Sequence, residues 1–353
     1  MSFGFWRGRT VLVTGHTGFK GAWLSLWLQQ LGATVVGFAL EPPTRPSLFE
    51  QARIGGRIHS ILGDVRDLDA LRQAFARHRP QIVIHMAAQA LVRDSYADPV
   101  NTYAVNVMGT VNVLEAARRA DGVEAVVVVT SDKCYENREL LWGQRETDPM
   151  GGHDPYSSSK GCAELVASAY ARSFLTEAGI ATATVRAGNV IGGGDWAADR
   201  LIPDIVRAFS SASTLTIRYP DSVRPWQHVL EPLSGYLLVA EALATGKIAG
   251  GEGFNFGPVD EDARPVRWIV EHMARLWGGN RDWRVTDGAR PHEAGMLRLD
   301  CAKARNMLGW RPQLALADAL EWVVEWYRAA QDGADAAALC ARQIERYQER
   351  LSA

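Results

Sequence analysis

Residues 10–21 read Thr-Val-Leu-Val-Thr-Gly-His-Thr-Gly-Phe-Lys-Gly, and no other stretch narrows the possible folds as much. Thr10 to Thr14 is a short β-branched run of the kind that forms a buried strand. Glycines follow at Gly15, Gly18 and Gly21, and Ala22 to Leu31 then carries helical apolar spacing that stops at Gly32. A strand, a Gly-x-x-Gly-x-x-Gly turn and a helix in that order make a dinucleotide site. The glycines let the backbone approach a pyrophosphate, which rests on the N–H groups of the helix N-terminus. A mere tight turn would not need the strand before and the helix after. Gly15, Thr17, Gly18, Phe19 and Lys20 are therefore candidate cofactor residues.

The chain after this unit alternates strand and helix. A second strand, Thr34 to Leu40, ends in Glu41, where an acidic residue about 20 positions past the glycines holds the adenosine ribose diol and favours NAD. Arg45 nearby offers a partner for a 2′-phosphate, so spacing leaves NADP open. Ile58 to Leu62 is a third strand. Asp64 and Val65 follow it, with Asp64 placed either to meet the adenine edge or to cap the next helix. The fourth strand begins at Ile82 and runs into Ala87, Ala88 and Gln89, whose first two small side chains let a cofactor lie flat. Asp98 to Arg119 reads as one long helix containing Asn106. Val126 to Val129 is a fifth strand opening onto Thr130-Ser131-Asp132-Lys133-Cys134-Tyr135, and Ala181 to Val185 is a sixth. This alternation predicts an α/β fold, a Rossmann-type doubly wound parallel sheet with a smaller, mostly helical C-terminal domain.

Gly188 to Trp196 breaks the alternation with a glycine-rich run just past the sixth strand, where open α/β sheets bind ligands. Beyond it lie Arg200-Leu201, a short strand at Leu215 to Arg218, and Arg224-Pro225-Trp226-Gln227-His228. A helix at Leu230 to Leu243, a late strand at Phe254 to Phe256, and helices near Val266–Trp277, Ala302–Leu308, Leu316–Ala330 and Ala337–Leu351 complete the chain. We expect residues 1–187 to form the NAD-binding domain, with segments near 226–258 packing back onto it. Residues 188–225 and 259–353 then form the substrate-binding domain.

Tyr156 and Lys160 stand four apart in a helix-forming segment, so they share a face. A lysine beside a tyrosine favours tyrosinate and lowers a phenol pKa that starts near ~10, suiting Tyr156 to accept a proton from a sugar hydroxyl. Alone, this pair is also what a solvated helix face carries; the dinucleotide unit upstream gives it weight. The remaining composition is bland. With 38 Lys and Arg against 40 Asp and Glu, and arginines scattered, no nucleic-acid partner is implied. The start lacks a signal-peptide core, no apolar run reaches membrane-spanning length, and four well-separated cysteines imply neither a disulfide framework nor a metal site. A reducing cytoplasm is the simplest setting. The twelve tryptophans, such as Trp23 and Trp27, fall mostly in apolar helical patterns and are read as core.

Taken together, Thr14-Gly15-x-x-Gly18-x-x-Gly21 and Tyr156-x-x-x-Lys160 resemble the extended short-chain dehydrogenase/reductases that act on nucleotide sugars, over roughly residues 8 to 330. Residues 15–21, 130–137 and 188–196, with Glu146 to Lys160, look like the family's 4,6-dehydratase branch. The resemblance implies a CDP-sugar substrate, oxidation at C4 by NAD, loss of water across C5 and C6, and return of the hydride to C6. It implies Tyr156 as base at the C4 hydroxyl, assisted by Lys160 and Ser131, with Asp132 and Lys133 as acid and base for the elimination. It further implies substrate contacts at Asn189, Arg200, Leu201, Arg218, Arg224 and His292, and a homodimer or dimer of dimers built on the Asp98–Arg119 and Pro155–Ala178 helices. One departure stands out: many related dehydratases carry Asp-Glu where this chain has Asp132-Lys133. An ordinary lysine, with a pKa near ~10.4, keeps its proton at neutral pH and needs desolvation or a nearby cation to act as base. Enzymes that invert C5 also carry Asp-Lys, so these residues leave the outcome at C5 open. A 4-epimerase of the same fold would need Tyr156, Lys160 and Ser131 but not the Asp132-Lys133 pair. A non-catalytic NAD-sensing regulator would need none of them.

Overall fold

Alternate residues of the first strand point to opposite faces of a sheet. Val11 and Val13 enter one apolar layer with Trp23, Trp27, Leu230 and Leu237, and Leu12 enters another with Val36, Phe75, Val113 and Val126. The strand is thus buried on both faces, as parallel sheets require. The computed structural model describes residues 2–278, 281–286 and 295–352. Its central sheet has seven strands: β1 Thr10–Thr14, β2 Thr34–Ala39, β3 His59–Leu62, β4 Ile82–His85, β5 Ala125–Val129, β6 Ala181–Ala187 and β7 Glu252–Phe256. The order is β7-β6-β5-β4-β1-β2-β3, all neighbours parallel, and the late strand β7 extends the edge by pairing Phe256 with Ala187.

The described helices include α1 Phe19–Gln30, α2 Leu68–His78, α3 Pro99–Tyr103, α4 Gly109–Arg119, α5 Pro155–Tyr170, α6 Leu201–Ser210, α7 Leu230–Ala244, α8 Val266–Trp277, α9 Ala302–Leu308, α10 Leu316–Gln331 and α11 Ala336–Ser352. The long helix expected from Asp98 is interrupted: a π-helical turn, Ala104–Met108, joins α3 to α4, and a second π turn, Ala171–Leu175, follows α5. Asp98 lies just outside as the N-cap of α3, accepting from Asn101 N–H at 3.0 Å. Helix α1 starts three residues earlier than its apolar spacing suggested, because Gly18 serves as its N-cap. The last helix returns to the first, with the Trp27 and Tyr347 rings meeting edge-on at 5.7 Å. Short pairings, Val190–Ile191 with Gln227–His228 and Leu215–Ile217 with Trp283–Val285, build the part beyond β6. No helix among the described residues is long and apolar enough to cross a membrane.

Candidate active site

The glycine turn forms a cradle that side chains would fill. Gly15 has φ +78°, and a Cβ there would stand 2.8 Å from Ala87 N; a Cβ on Gly21 would stand 2.1 Å from Gly15 O. Gly18 gives α1 no side-chain cap, so its first-turn N–H groups are left to an anion, which suits a pyrophosphate. The Thr17 hydroxyl donates to Leu40 O at 2.9 Å and ties the turn to the end of β2, where Glu41 is exposed. Thr14 Oγ1 accepts from the N–H groups of Met86 and Ala87 at 3.1 Å each, which sets Ala87 against Gly15. Gln89 N–H donates to Asn106 Oδ1 at 2.8 Å, and Asn106 Nδ2 reaches Ser159 Oγ on α5 at 2.8 Å. The π turn carries Asn106, so the irregularity serves to join the β4 exit to the catalytic helix. Of the two readings of Asp64, capping is overturned: Asp67 caps α2, accepting from Ala70 N–H at 2.9 Å. Asp64 is instead gripped by Arg66, whose hydrogen bonds hold its carboxyl below the usual range. Val65 is buried against Gly109.

Beyond β5, Ser131 caps a short 3₁₀ turn, Asp132–Cys134, and its Oγ accepts from Lys133 N–H at 3.2 Å. The same hydroxyl donates to Asp132 Oδ1 at 2.9 Å. Asp132 is 3% exposed, and burial raises its pKa against the pull of Lys133, the Ser131 hydrogen bond, Arg224 and Lys20. Helix α5 brings Tyr156 to Ser131. The expectation that Lys160 would lower the Tyr156 phenol is not met. Burial pushes it up to about 12, the Ser131 hydrogen bond opposes this, and the Lys160 ammonium donates instead to Val129 O at 3.2 Å. Lys160 itself is lowered to about 8, by burial, with Glu164 pulling the other way.

On the substrate side, the backbone of Asn189 accepts from Gln227 N–H at 3.0 Å, and a Cβ on neighbouring Gly188 would lie 3.0 Å from Asp132 Oδ2. Arg200, at the N-terminus of α6 before Leu201, donates to Asp195 Oδ2 at 3.1 Å and acts electrostatically on Tyr156. Arg224 is 6% exposed, donates to Val223 O at 3.0 Å and acts on Asp132. Arg218 lies farther out, donating to Asp199 at 3.2 Å. His292 lies outside the described residues.

Sequence reading missed Glu164 and gave only part of the place of Lys20. Lys20, assigned to the cofactor, also faces the catalytic cluster: burial, Lys160 and Arg200 lower it to about 7, with Asp132 opposing, and its Nζ stands 5.8 Å from the centre of the buried Tyr236 ring. Glu164 accepts from Thr130 Oγ1, from Thr184 Oγ1 at 2.6 Å, and from Arg186 Nε and Nη2 at 2.8 Å each. It stands four residues after Lys160 and eight after Tyr156, so helical spacing alone would have found it.

Comparison with known proteins agrees with this geometry. The chain is 55% identical over 348 residues, 97% of each chain, to the CDP-glucose 4,6-dehydratase of Salmonella typhimurium. It is 29% identical to the UDP-glucose 4-epimerase of Mycolicibacterium smegmatis, over 90% of this chain and 98% of that protein. The crystal structure of a double mutant of DesIV, a dTDP-glucose 4,6-dehydratase from Streptomyces venezuelae with NAD and DAU bound, superposes with a TM-score of 0.78 at 27% identity, covering 91% of this chain and 98% of that one. The model of the GDP-mannose 4,6-dehydratase family matches residues 12–322, and the chain belongs to that family of extended short-chain dehydrogenase/reductases.

Proposed function

We propose that this protein is an NAD-dependent hydro-lyase that converts CDP-D-glucose to CDP-4-keto-6-deoxy-D-glucose. The observation that carries the reading is Asp132: a buried carboxyl of raised proton affinity, one residue from Ser131 and electrostatically coupled to Tyr156. A 4-epimerase has no use for an acid there, whereas elimination of the C6 hydroxyl needs one. The 55% identical relative supports CDP as the nucleotide. NAD, when bound, accepts the hydride of C4 and returns it to C6. The glycine cradle, Glu41, Asp64, Val65, Ala87, Ala88 and Gln89 hold it, and exposed Glu41 favours NAD over its 2′-phosphate.

The chain's own groups then divide the work. Tyr156, beside Ser131, is the group placed to take the C4 hydroxyl proton, and its phenol, held near 12 by burial, acts as base only once ionised. The new ketone acidifies C5, whose proton goes to Lys133 or, if Lys133 keeps its own proton, to Tyr156, and Asp132 protonates the departing C6 hydroxyl. Arg224 grips the diphosphate, since a guanidinium binds phosphate oxygens in a fork. Asn189, Arg200, Leu201 and Arg218 line the sugar-nucleotide side. In this reading residues 1–187 and 226–258 hold the dinucleotide, and residues 188–225 and 259–353 close over the substrate. The protein works in the cytoplasm as a homodimer or dimer of dimers, without nucleic acid, membrane or metal.

A panel of CDP-, dTDP-, UDP- and GDP-hexoses, assayed for a 4-keto-6-deoxy product, tests the assignment. CDP-glucose deuterated at C4 should give product labelled at C6 with no net NADH. Stoichiometric NADH, or turnover confined to another nucleotide, would overturn it.

A further inference from the structure

Arg93 lies outside the catalytic cluster, yet it joins the two sides of the site. The segment Ala87 to Leu91 leaves β4 beside the glycine cradle, and its end is pinned to Gln89. Leu91 N–H donates to Gln89 Oε1 at 3.1 Å, and Gln89 Nε2 donates to Leu91 O at 2.8 Å. A short helix, Val92–Ala97, follows at once and carries Arg93 in its first turn. Arg93 Nη1 donates to Asp199 Oδ1 at 2.8 Å. The two residues are 106 apart in sequence, and Asp199 belongs to the turn that enters α6 on the substrate side. Arg218 donates to the same oxygen at 3.2 Å, so one carboxylate oxygen serves a guanidinium from each half of the site.

The backbone at Asp199 is unusual. Its φ is +60°, a left-handed conformation that aspartate tolerates better than bulky residues and that glycine adopts freely. Asp204, the acidic residue in the first turn of α6, is taken by Arg207, which leaves the Asp199 carboxylate to Arg93 and Arg218. Arg200 follows Asp199 directly as the N-cap of α6 and acts electrostatically on Tyr156, and Leu201 begins the helix. Holding Asp199 therefore holds the Arg200–Leu201 pair where the sugar nucleotide is read to lie. The side chains of Arg93 and Asp199 are 51% and 44% exposed, and ion pairs so open to water are weak. A bond of that strength steadies a turn and still yields when a ligand enters or leaves.

We infer that Arg93 is a positioning residue for the sugar nucleotide: through Asp199 it draws the Arg200–Leu201 turn toward the cofactor half and closes the cleft over bound substrate. Its effect falls on retention of the substrate and not on the chemical steps, which belong to Ser131, Asp132, Lys133 and Tyr156.

This inference rests on the dehydratase reading, and its test is a binding measurement, so that the two fail separately. CDP-glucose would be titrated calorimetrically into NAD-loaded wild type, Arg93→Met, Arg93→Lys, Asp199→Gly and the double variant Arg93→Met with Asp199→Gly. KM, kcat and NAD affinity would be measured on each. Glycine keeps the left-handed backbone and removes only the carboxylate. Arg93→Met and Asp199→Gly should each weaken CDP-glucose binding and raise KM by about 3–5-fold, the range of an exposed pair, while kcat and NAD affinity stay within about 2-fold. The double variant should bind no more weakly than Asp199→Gly alone, because both changes act through one bond. Arg93→Lys, which keeps the charge, should recover part of the affinity. Losses that add in the double variant, unchanged binding in either single variant, or an equal fall in NAD affinity would overturn the inference and leave the function standing. A wild type that binds no CDP-glucose would overturn the function, and the inference with it.

Discussion

Glu164→Gln probes a part of the site that lies under the substrate-facing groups. The Glu164 and Arg186 side chains are each 5% exposed, and the carboxylate accepts from both Arg186 nitrogens and from two threonine hydroxyls. The substitution is isosteric but leaves the Arg186 charge buried, with the Tyr135 hydroxyl at 2.6 Å and Glu146 O at 3.2 Å as its remaining partners. Breaking such a pair from one side costs about 3–5 kcal/mol. At about 2–4 °C per kcal/mol for a chain of this size or somewhat smaller, Tm should fall by roughly 6–12 °C at the low end of that cost. The second consequence is catalytic. Burial lowers Lys160 to about 8, and Glu164 is the strongest influence raising it. Without that charge Lys160 loses its proton at lower pH. Activity that depends on the ammonium is full below its pKa and is lost as pH rises through it, so the alkaline limb of kcat should move to lower pH. The measurements are thermal unfolding and kcat between pH 6 and 10. A Tm unchanged within the effect of 1 kcal/mol, with the alkaline limb in place, would refute the coupling of the ion pair to Lys160. Removing both charges, as in Glu164→Gln with Arg186→Met, should recover part of the stability.

Three further outcomes follow from the structure. Asp132→Asn should reduce NAD in a single turnover but release little dehydrated product, by about 10²–10⁴-fold; Lys133→Met should do the same and slow exchange of the C5 proton with solvent deuterium. Full exchange in Lys133→Met would reassign the C5 base to Tyr156. His16, His85 and His228 are buried and lowered to about 4, 3 and 3, each by desolvation, so the unfolded chain binds their protons first below pH 6.5. Their stability is present above pH 6.5 and is lost as pH falls toward 4 and 3. Glu231, raised to about 7 by burial, works the other way between pH 7 and 4.5. At about 1.4 kcal/mol per group per pH unit, denaturant unfolding at pH 5 should show a net loss of about 3 kcal/mol against pH 7, and equal stability at the two pH values would count against the assignment. The exposed apolar residues Val100 on α3, Leu165 on α5 and Met108 between α3 and α4 fit a four-helix homodimer interface, as do Tyr103 and Phe174. Sedimentation should give a dimer or larger at micromolar concentration and monomer for Leu165→Glu; a monomeric wild type would sink the interface.

Local patterns were enough to locate most of the scaffold. The run Thr10 to Gly21 determined a strand, a cradle and a helix because glycine alone tolerates the +78° backbone of Gly15 and the close approach at Gly21. Apolar period placed α8 and α9 within their observed bounds, and chemistry-bearing neighbours in sequence, Ser131-Asp132-Lys133 and Tyr156 with Lys160, stayed neighbours in space. What lay beyond the sequence depended on distant partners. Strand β6 runs on to Ala187 because β7, some 70 residues later, pairs with it. The π turn carries Asn106, which meets Gln89 and Ser159 together. The protonation of the site was decided wholly by the tertiary structure. Two side chains four apart on a helix suggested a lysine that lowers a phenol, yet burial of Tyr156 raised it, and Lys160 turned to Val129 O and Glu164. Spacing records which groups can meet along one element. The desolvation that sets their proton affinity is a property of everything packed around them, and that is known only once the chain has folded.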